Sequence, residues 1–357
     1  MATVSSNSRN QKSNRNRVGT LGVDIGSSAI KMVRMEWASG RWTIKNRLMF
    51  TVEEPSADMA DDLASGFLGR QLDSLSRRTL STPHDCACVL PMSVTEFRSI
   101  EVPAGNENDI NLMAQEALRD CFPHDFEERV TRLWRHVHSP HDLTQVSGIS
   151  VKTAVGEGIV EDLNRVGFDC RSMASIPFAL TQAASMSPVG RSQQPIGLLS
   201  WENSTATFVV THNGRPEFIR TLRDCSGKAV NERIVDGLGV KPDEARSLLA
   251  SIGLTNSDDT NLSPLTKMIE PYVQPEVQKI CSELNKTTMY LRHHLPKLLP
   301  ARLVLFGGMA TVPDIARSIQ ESCGMETSPW SLNADNSHAT DPIFAPAIAA
   351  SAGITLS

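Results

Sequence analysis

The sequence predicts an α/β protein of two similar lobes, each a mixed sheet flanked by helices, with a small α+β unit inserted into the first. Three observations carry that reading. A three-strand meander at residues 20–50 is echoed at residues 195–222. Each meander is followed by stretches whose apolar residues recur at helical spacing. Between the two lies a strand–helix–strand stretch that fits neither meander. The expected divisions are a polar tail at 1–19, a first lobe at 20–194 with the insertion at about 85–154, and a second lobe at 195–357.

The tail carries four basic side chains and no acidic one, with no apolar block that would make a secretory leader. It reads as solvated chain, with a weak contact to an anionic membrane as the sharper alternative. The first meander is 21-LGVDIGSSAIKMVRM-35, a turn at Ser39-Gly40, then 42-WTIKNRLMF-50. In 57–78, Met59, Leu63, Phe67, Leu68, Leu72 and Leu75 fall on one face and predict a single helix. The insertion begins with strand 86-CACVLP-91 and continues through 94-VTEFRSIEVP-103. Its helix, 107–121, has Ile110, Met113, Ala114, Ala117, Leu118 and Cys121 on one face and is closed by Pro123. A strand near 132–137 and a loop at 138–145 complete it.

The second meander runs 196-IGLLS-200, a polar turn at Glu202-Asn203-Ser204, 205-TATFVV-210, and 216-PEFIRTL-222. Asn213-Gly214 supplies the hairpin turn. Helices follow on the stripes Val230/Ile234/Leu238 and Ala245/Leu248/Leu249/Ile252. A long helix from about 275 carries Val277, Ile280, Leu284, Thr288, Leu291 and Leu295. Strand 302-RLVLF-306, a turn at Gly307-Gly308 and helix 313–323 come next, the last with Pro at its start and Gly324 just past its end. The nearly apolar tract 343–356 is shorter than the ~18 residues of a membrane span.

A chain of 357 residues with 40% hydrophobic and 21% charged residues can bury a large core. Its net charge of -5 argues against a general nucleic-acid binder, which needs a basic face. The seven scattered cysteines read as core thiols in a reducing compartment. Cys86 and Cys88 alternate along one strand and share a face; a metal pair is one reading, ordinary packing the commoner one. His136, His138 and His141 cluster, with Asp142 near, but the loop is polar and no fixed fourth ligand is in view, so no metal is assigned. His293 and His294 read as surface or interface residues. No Ser/His/Asp or Cys/His set has a local hydrolase signature.

Two loops could hold a nucleotide. In the first, Gly26 permits backbone approach, Ser27 and Ser28 offer hydroxyls and N–H groups, and Lys31 can return its ammonium from the departing strand. Asp24 could orient a Mg²⁺-bound water. In the second, Gly307-Gly308 joins a buried strand to a helix and could bare its backbone to a ring or ribose. Each alone also reads as an ordinary turn.

The ordered set 23-VDIGSSAIKMV-33, 116-EALRDCFP-123, 161-EDLNRVGFDCRSMASIPFAL-180, 238-LGVKPDEA-245, 304-VLFGGMATVPDI-315 and 345-APAIAASAGITL-356 resembles the actin/Hsp70/sugar-kinase ATPase superfamily. Within it the chain most resembles the PilM family of type IV pilus assembly proteins, and less closely the FtsA family of cell division. The resemblance spans about residues 20–357 and implies an actin-like fold closing over ATP and Mg²⁺. Asp24, Gly26, Ser27, Ser28 and Lys31 match the first phosphate loop; Gly307, Gly308 and Ala310 match the adenosine loop.

The departures predict a different outcome. Where the family's second phosphate loop has Asp and Gly, this chain has Ser200 and Glu202, which removes one carboxylate and places another beside the β/γ-phosphates. Where relatives have Glu and Lys flanking adenine and ribose, it has Arg246 and Leu249. The expectation is weak nucleotide binding at most and no ATP hydrolysis. The resemblance then implies a cytoplasmic scaffold of a pilus, secretion or competence machine. It would hold the tail of a single-span PilN-like inner-membrane protein in a groove between the insertion and the first lobe, near 86–126 and 155–180. Two other functions are alternatives on this fold. A kinase or ATPase on this fold needs a catalytic Asp where Ser200 stands. An FtsA-like filament protein calls for an amphipathic C-terminal helix, and 349-AASAGITLS-357 is neither basic nor amphipathic.

Overall fold

The computed structural model describes residues 17–52, 58–76, 84–136, 143–251, 264–333 and 341–353. In chain order the first part contains β1 (Arg17–Ile25), β2 (Ala29–Ala38), β3 (Arg41–Thr51), α1 (Met59–Ala64), α2 (Phe67–Ser76), β4 (His84–Leu90), β5 (Glu96–Pro103), α3 (Glu107–Cys121), β6 (Arg129–Arg135), β7 (Leu143–Lys152), α4 (Thr153–Arg165), β8 (Phe168–Ser175) and α5 (Ile176–Met186). The second part contains β9 (Ile196–Trp201), β10 (Ala206–His212), β11 (Arg215–Leu222), α6 (Gly227–Leu238), α7 (Pro242–Ser251), α8 (Pro264–His294), β12 (Arg302–Phe306), α9 (Ile315–Cys323), β13 (Glu326–Pro329) and α10 (Asp341–Ala352).

The two large sheets have one topology. The first is ordered β3-β2-β1-β4-β8 and the second β11-β10-β9-β12-β13. In each, an antiparallel meander meets two parallel strands that return across helices. The repeated meander of the sequence is therefore the repeated half of two α/β sheets. A third, antiparallel sheet, β5-β7-β6, carries α3 on one face.

Four details differ from the sequence reading. The helix expected over 57–78 is two helices, because Gly66 turns the chain at φ 84°. The new N-terminus of α2 is capped from elsewhere: the Gly69 N–H donates to Oδ2 of buried Asp162 on α4 at 2.8 Å. Strand β4, placed with the insertion, sits inside the first large sheet between β1 and β8. The loop expected at 138–145 ends in β7, the central strand of the small sheet. Finally, α8 begins at Pro264, not near 275, and it buries Thr287 rather than Thr288. The tail through residue 16, His138, His141, Asp142, Ile252 and the side chain of Leu75 lie outside the described residues.

Helices α5 and α10 lie between the large sheets. Ala179, Leu180 and Ala183 of α5 and Ala347, Ile348 and Ala350 of α10 form one core with Val33 and Val89 of the first sheet and Leu198, Val304 and Phe306 of the second. This explains why 343–356 is apolar all round: α10 is covered on both sides. It also explains Gly22, where a Cβ would stand 1.9 Å from the Ala347 carbonyl oxygen. The Ser351 hydroxyl accepts from Met35 N–H at 2.8 Å and donates to the Thr20 carbonyl, fixing α10 on β1 and β2.

Candidate functional site

The first phosphate-loop candidate and its opposing turn meet at the cleft between the lobes. Asp24 and Lys31 are register partners on β1 and β2, so the hairpin aims both side chains the same way. Both are buried, and the Lys31 Nζ donates to Asp24 Oδ2 at 3.0 Å. The turn between them closes with Gly26 N–H to Ala29 O at 3.1 Å. Across the cleft, β9 ends at Trp201 and the chain turns with Glu202 N–H donating to Thr205 O at 3.1 Å. That turn carries the Glu202 carboxylate back to Lys31, Oε2 to Nζ 3.5 Å. The buried Ser200 hydroxyl donates to Glu202 Oε1 at 3.3 Å. Gly307, at φ 85°, backs onto the same carboxylate: a Cβ there would stand 2.9 Å from Glu202 Oε1 and 2.7 Å from the Trp201 carbonyl oxygen.

One ammonium is thus shared by two carboxylates. Burial pushes the Asp24 carboxyl above its usual range; Lys31 opposes this, and the Glu202 charge adds to it. For Lys31 burial works against the charged form, but the charges of Asp24 and Glu202 outweigh it and hold the ammonium firmly protonated. The cavity that remains, lined by Gly26, Ser27, Ser28, Met92, Ser93, Ile176 and Thr207 beside the charged trio, measures about 50 Å³. That is room for one or two waters, against the ~300 Å³ or more of a typical ligand site.

Asp24, Gly26, Ser27, Ser28, Lys31, Ser200, Glu202 and Gly307 therefore converge. Ala310 is buried behind them, its N–H donating to Gly307 O at 3.2 Å, while Gly308 has open space at its Cβ position. Arg246 and Leu249 do not join them. Arg246 is exposed and pairs with Asp243 on its own helix; Leu249 packs in the second-lobe core. Sequence reasoning missed the cleft-lining Pro91, Met92 and Ser93, Ile176 and Thr207. The available signal was position: Pro91–Ser93 follow the carboxyl end of β4 and Ile176 that of β8, where open α/β sheets place their ligands.

His136 is no metal ligand in this arrangement. It is buried, with Nδ1 2.9 Å from Glu217 Oε2 and Nε2 2.5 Å from Ser147 Oγ. His294 stacks on Tyr290 at the end of α8. Cys86 and Cys88 do share a face, and Cys170 of β8 joins them. Hydrogen bonding to Cys170 pushes the Cys86 thiol up to about 12, and the bonds from Cys86 and Cys88 hold Cys170 down at about 4.

A family model described as type IV pilus assembly protein PilM matches residues 22–339. This chain belongs to the PilM family. Among solved structures, a PilM-PilN type IV pilus biogenesis complex superposes with a TM-score of 0.72 at 18% identity, covering 94% of this chain and 98% of that one. The ethanolamine utilization protein EutJ from Carboxydothermus hydrogenoformans superposes at 0.55 with 11% identity, covering 94% and 89%. MreB 5 of Spiroplasma citri, bound to AMPPNP, superposes at 0.51 with 11% identity, covering 94% of each chain. No curated protein matches in sequence. The PilM-family chain thus has the actin-like fold of two sheet-containing lobes.

Proposed function

We propose that this PilM-family chain is a cytoplasmic scaffold of a type IV pilus or related machine, holding the tail of a single-span PilN-like inner-membrane protein and hydrolysing no ATP. The observation that carries the second half is the Glu202 carboxylate, which sits on Lys31 where a phosphate would need that charge. A γ-phosphate brought beside it would meet a like charge in a narrow, half-buried cleft. Hydrolysis also needs a positioned nucleophile, and Ser200 offers a hydroxyl already given to Glu202.

The partner reading is supported by family membership and by the PilM-PilN complex that the fold matches at 18% identity. A groove of about 470 Å³ lies between α3, β6 and the β10–β11 hairpin. Ile110, Asn111 and Phe178 fall within the stretches expected to line a partner groove, but the opposite wall is Gly214, Arg215 and Pro216 of the second lobe and not the first lobe as expected; Arg132, Arg135 and Arg215 add cationic side chains around Trp134. That combination suits an extended segment bearing acidic side chains. No helix among the described residues is long and apolar enough to cross a membrane; on this reading the single-span partner supplies the attachment to the inner membrane.

Capture from detergent-solubilised membranes with the full tagged chain tests the reading. The expected catch is a small single-span protein with a short cytoplasmic N-terminus. Arg132→Glu with Arg135→Glu should lose it, and Glu202→Gly should keep it. Mg-ATP titrated into the unaltered chain should bind at most weakly and release no phosphate; micromolar affinity would refute the weak-binding expectation, and steady phosphate release the non-hydrolysing half.

A further inference from the structure

The first lobe holds a second cluster, unrelated to the cleft charges. Strands β4 and β8 run parallel, with Cys86 opposite Cys170 and Cys88 two residues along the same face. Beyond Cys170 the register slips: Ala87 pairs with Ser172, so Arg171 is the extra residue on β8. A bulge of this kind re-aims the side chains beside it. Here Cys170 Sγ comes within 3.7 Å of Cys88 Sγ, and all three sulfurs lie within 4.8 Å of one another. Cys86 and Cys88 are buried and Cys170 is half-buried.

Three sulfurs bound to one ion at about 2.3 Å stand about 4 Å apart in a trigonal plane. One pair at 3.7 Å and all three within 4.8 Å of one another bring the sulfurs close to that spacing, with side-chain adjustment and no rearrangement of the strands. Hard cations are excluded by the donor set, since Mg²⁺ and Ca²⁺ take oxygen ligands. Structural Zn²⁺ closes a tetrahedron with four protein ligands. Among the described residues no His, Asp or Glu joins these three to supply a fourth. The acids next to Cys86 and Cys170 in sequence are engaged elsewhere: Arg171 pairs with Asp85 at 3.1 Å and with Asp169 at 2.7 Å. Soft thiolates in threefold coordination select a soft d¹⁰ ion.

We propose that Cys86, Cys88 and Cys170 form a binding site for one Cu(I) ion, stapling β4 to β8. Binding releases the thiol protons to solvent and leaves a Cu–S₃ unit, with no change of oxidation state. The staple would lie behind the cleft, because β4 leads to Pro91–Ser93 and β8 to Ile176.

The test is anaerobic titration of the reduced full chain with Cu(I) against a chromogenic Cu(I) chelator. The expected result is one equivalent bound, with X-ray absorption reporting three sulfur neighbours at about 2.3 Å. Cys170→Ser, altering the half-exposed member, should weaken binding roughly a hundredfold or more. Cys121→Ser, altering an exposed thiol on α3, should leave it unchanged. If Cys86→Ser or Cys88→Ser unfolds the core, the Cys170 variant and the absorption spectrum still decide. No stoichiometric binding, binding indifferent to Cys170→Ser, oxygen or nitrogen neighbours, or tight Zn²⁺ uptake without Cu(I) uptake would each overturn the assignment.

Discussion

On the proposed function, Glu202 and a nucleotide phosphate would compete for the same ammonium, so this one side chain would govern what the cleft admits. Glu202→Gly removes the carboxylate held 3.5 Å from Lys31 and frees the space facing Gly307. Mg-ATP affinity should then rise by about tenfold or more, about 1.4 kcal/mol, read by calorimetry. An unchanged isotherm would mean the cleft is closed by something else. Glu202→Gln keeps the shape and removes the charge. Asp24 then loses the like charge that helps burial raise its pKa, so its carboxyl should titrate lower, followed by carboxyl NMR. The sign in the unaltered chain follows from linkage: Asp24 takes its proton more readily folded than unfolded. Its contribution to stability therefore falls as pH rises from the usual 3.8 through the raised folded value, and Glu202→Gln should flatten that fall. Lys31→Met leaves two carboxylates facing each other in a cleft where Asp24 is buried, and should cost about 3–5 kcal/mol in denaturant unfolding.

Elements were legible where local pattern and tertiary packing agree. The repeated meanders and the stripes on α6 and α7 follow from apolar periodicity, and α9 from the Pro before it and the Gly after it; the ion pair of Asp24 with Lys31 is not legible there, since the sequence aims Lys31 at phosphates, and it comes from the hairpin register. The long helix α8 extends about a dozen residues before the start expected near 275, through Pro271 and Pro275, residue types that usually interrupt a helix. Both lie on its exposed side, one turn apart, where water can take the carbonyls they leave free. Strand β7 was hidden by Ser, Thr and Gly148 in its middle, residues that read as loop until a sheet closes on both sides of them. The cleft lining from β4 and β8 was not legible because it depends on parallel strand order, which no local spacing encodes. Close packing of α10 on β1 gives a direct check. In Gly22→Ala the new methyl meets the Ala347 backbone at 1.9 Å, so the helix must shift off both sheets. The expected loss is at least 1–3 kcal/mol, seen as a lower melting temperature. Unchanged stability would show that α10 is free to move.

The whole molecule is held together by more than the core that α5 and α10 share between the sheets. The small sheet also reaches the second lobe directly. Trp134 Nε1–H of β6 donates to the Pro216 carbonyl at 2.9 Å, and two residues on His136 bridges Glu217 of β11 to Ser147 of β7. Glu217 is 1% exposed, and its second oxygen, Oε1, has no hydrogen-bond partner among the described residues. A buried carboxylate satisfied on one side only depends heavily on its imidazole partner. Removing either member strands the other: His136→Ala and Glu217→Ala should each cost about 3 kcal/mol or more. The double variant should cost clearly less than the sum, with a coupling of about 1–3 kcal/mol, because the second truncation removes the group left stranded by the first. Hydrogen exchange locates the effect. If the clasp docks the small sheet on the second lobe, amides of β5, β6 and β7 should lose protection in the single variants while β9 and β12, inside the second sheet, keep theirs. Additive costs, or protection lost evenly over both lobes, would mean that the small sheet is held by its apolar contacts alone and that the His136–Glu217 pair is a passive feature of the interface.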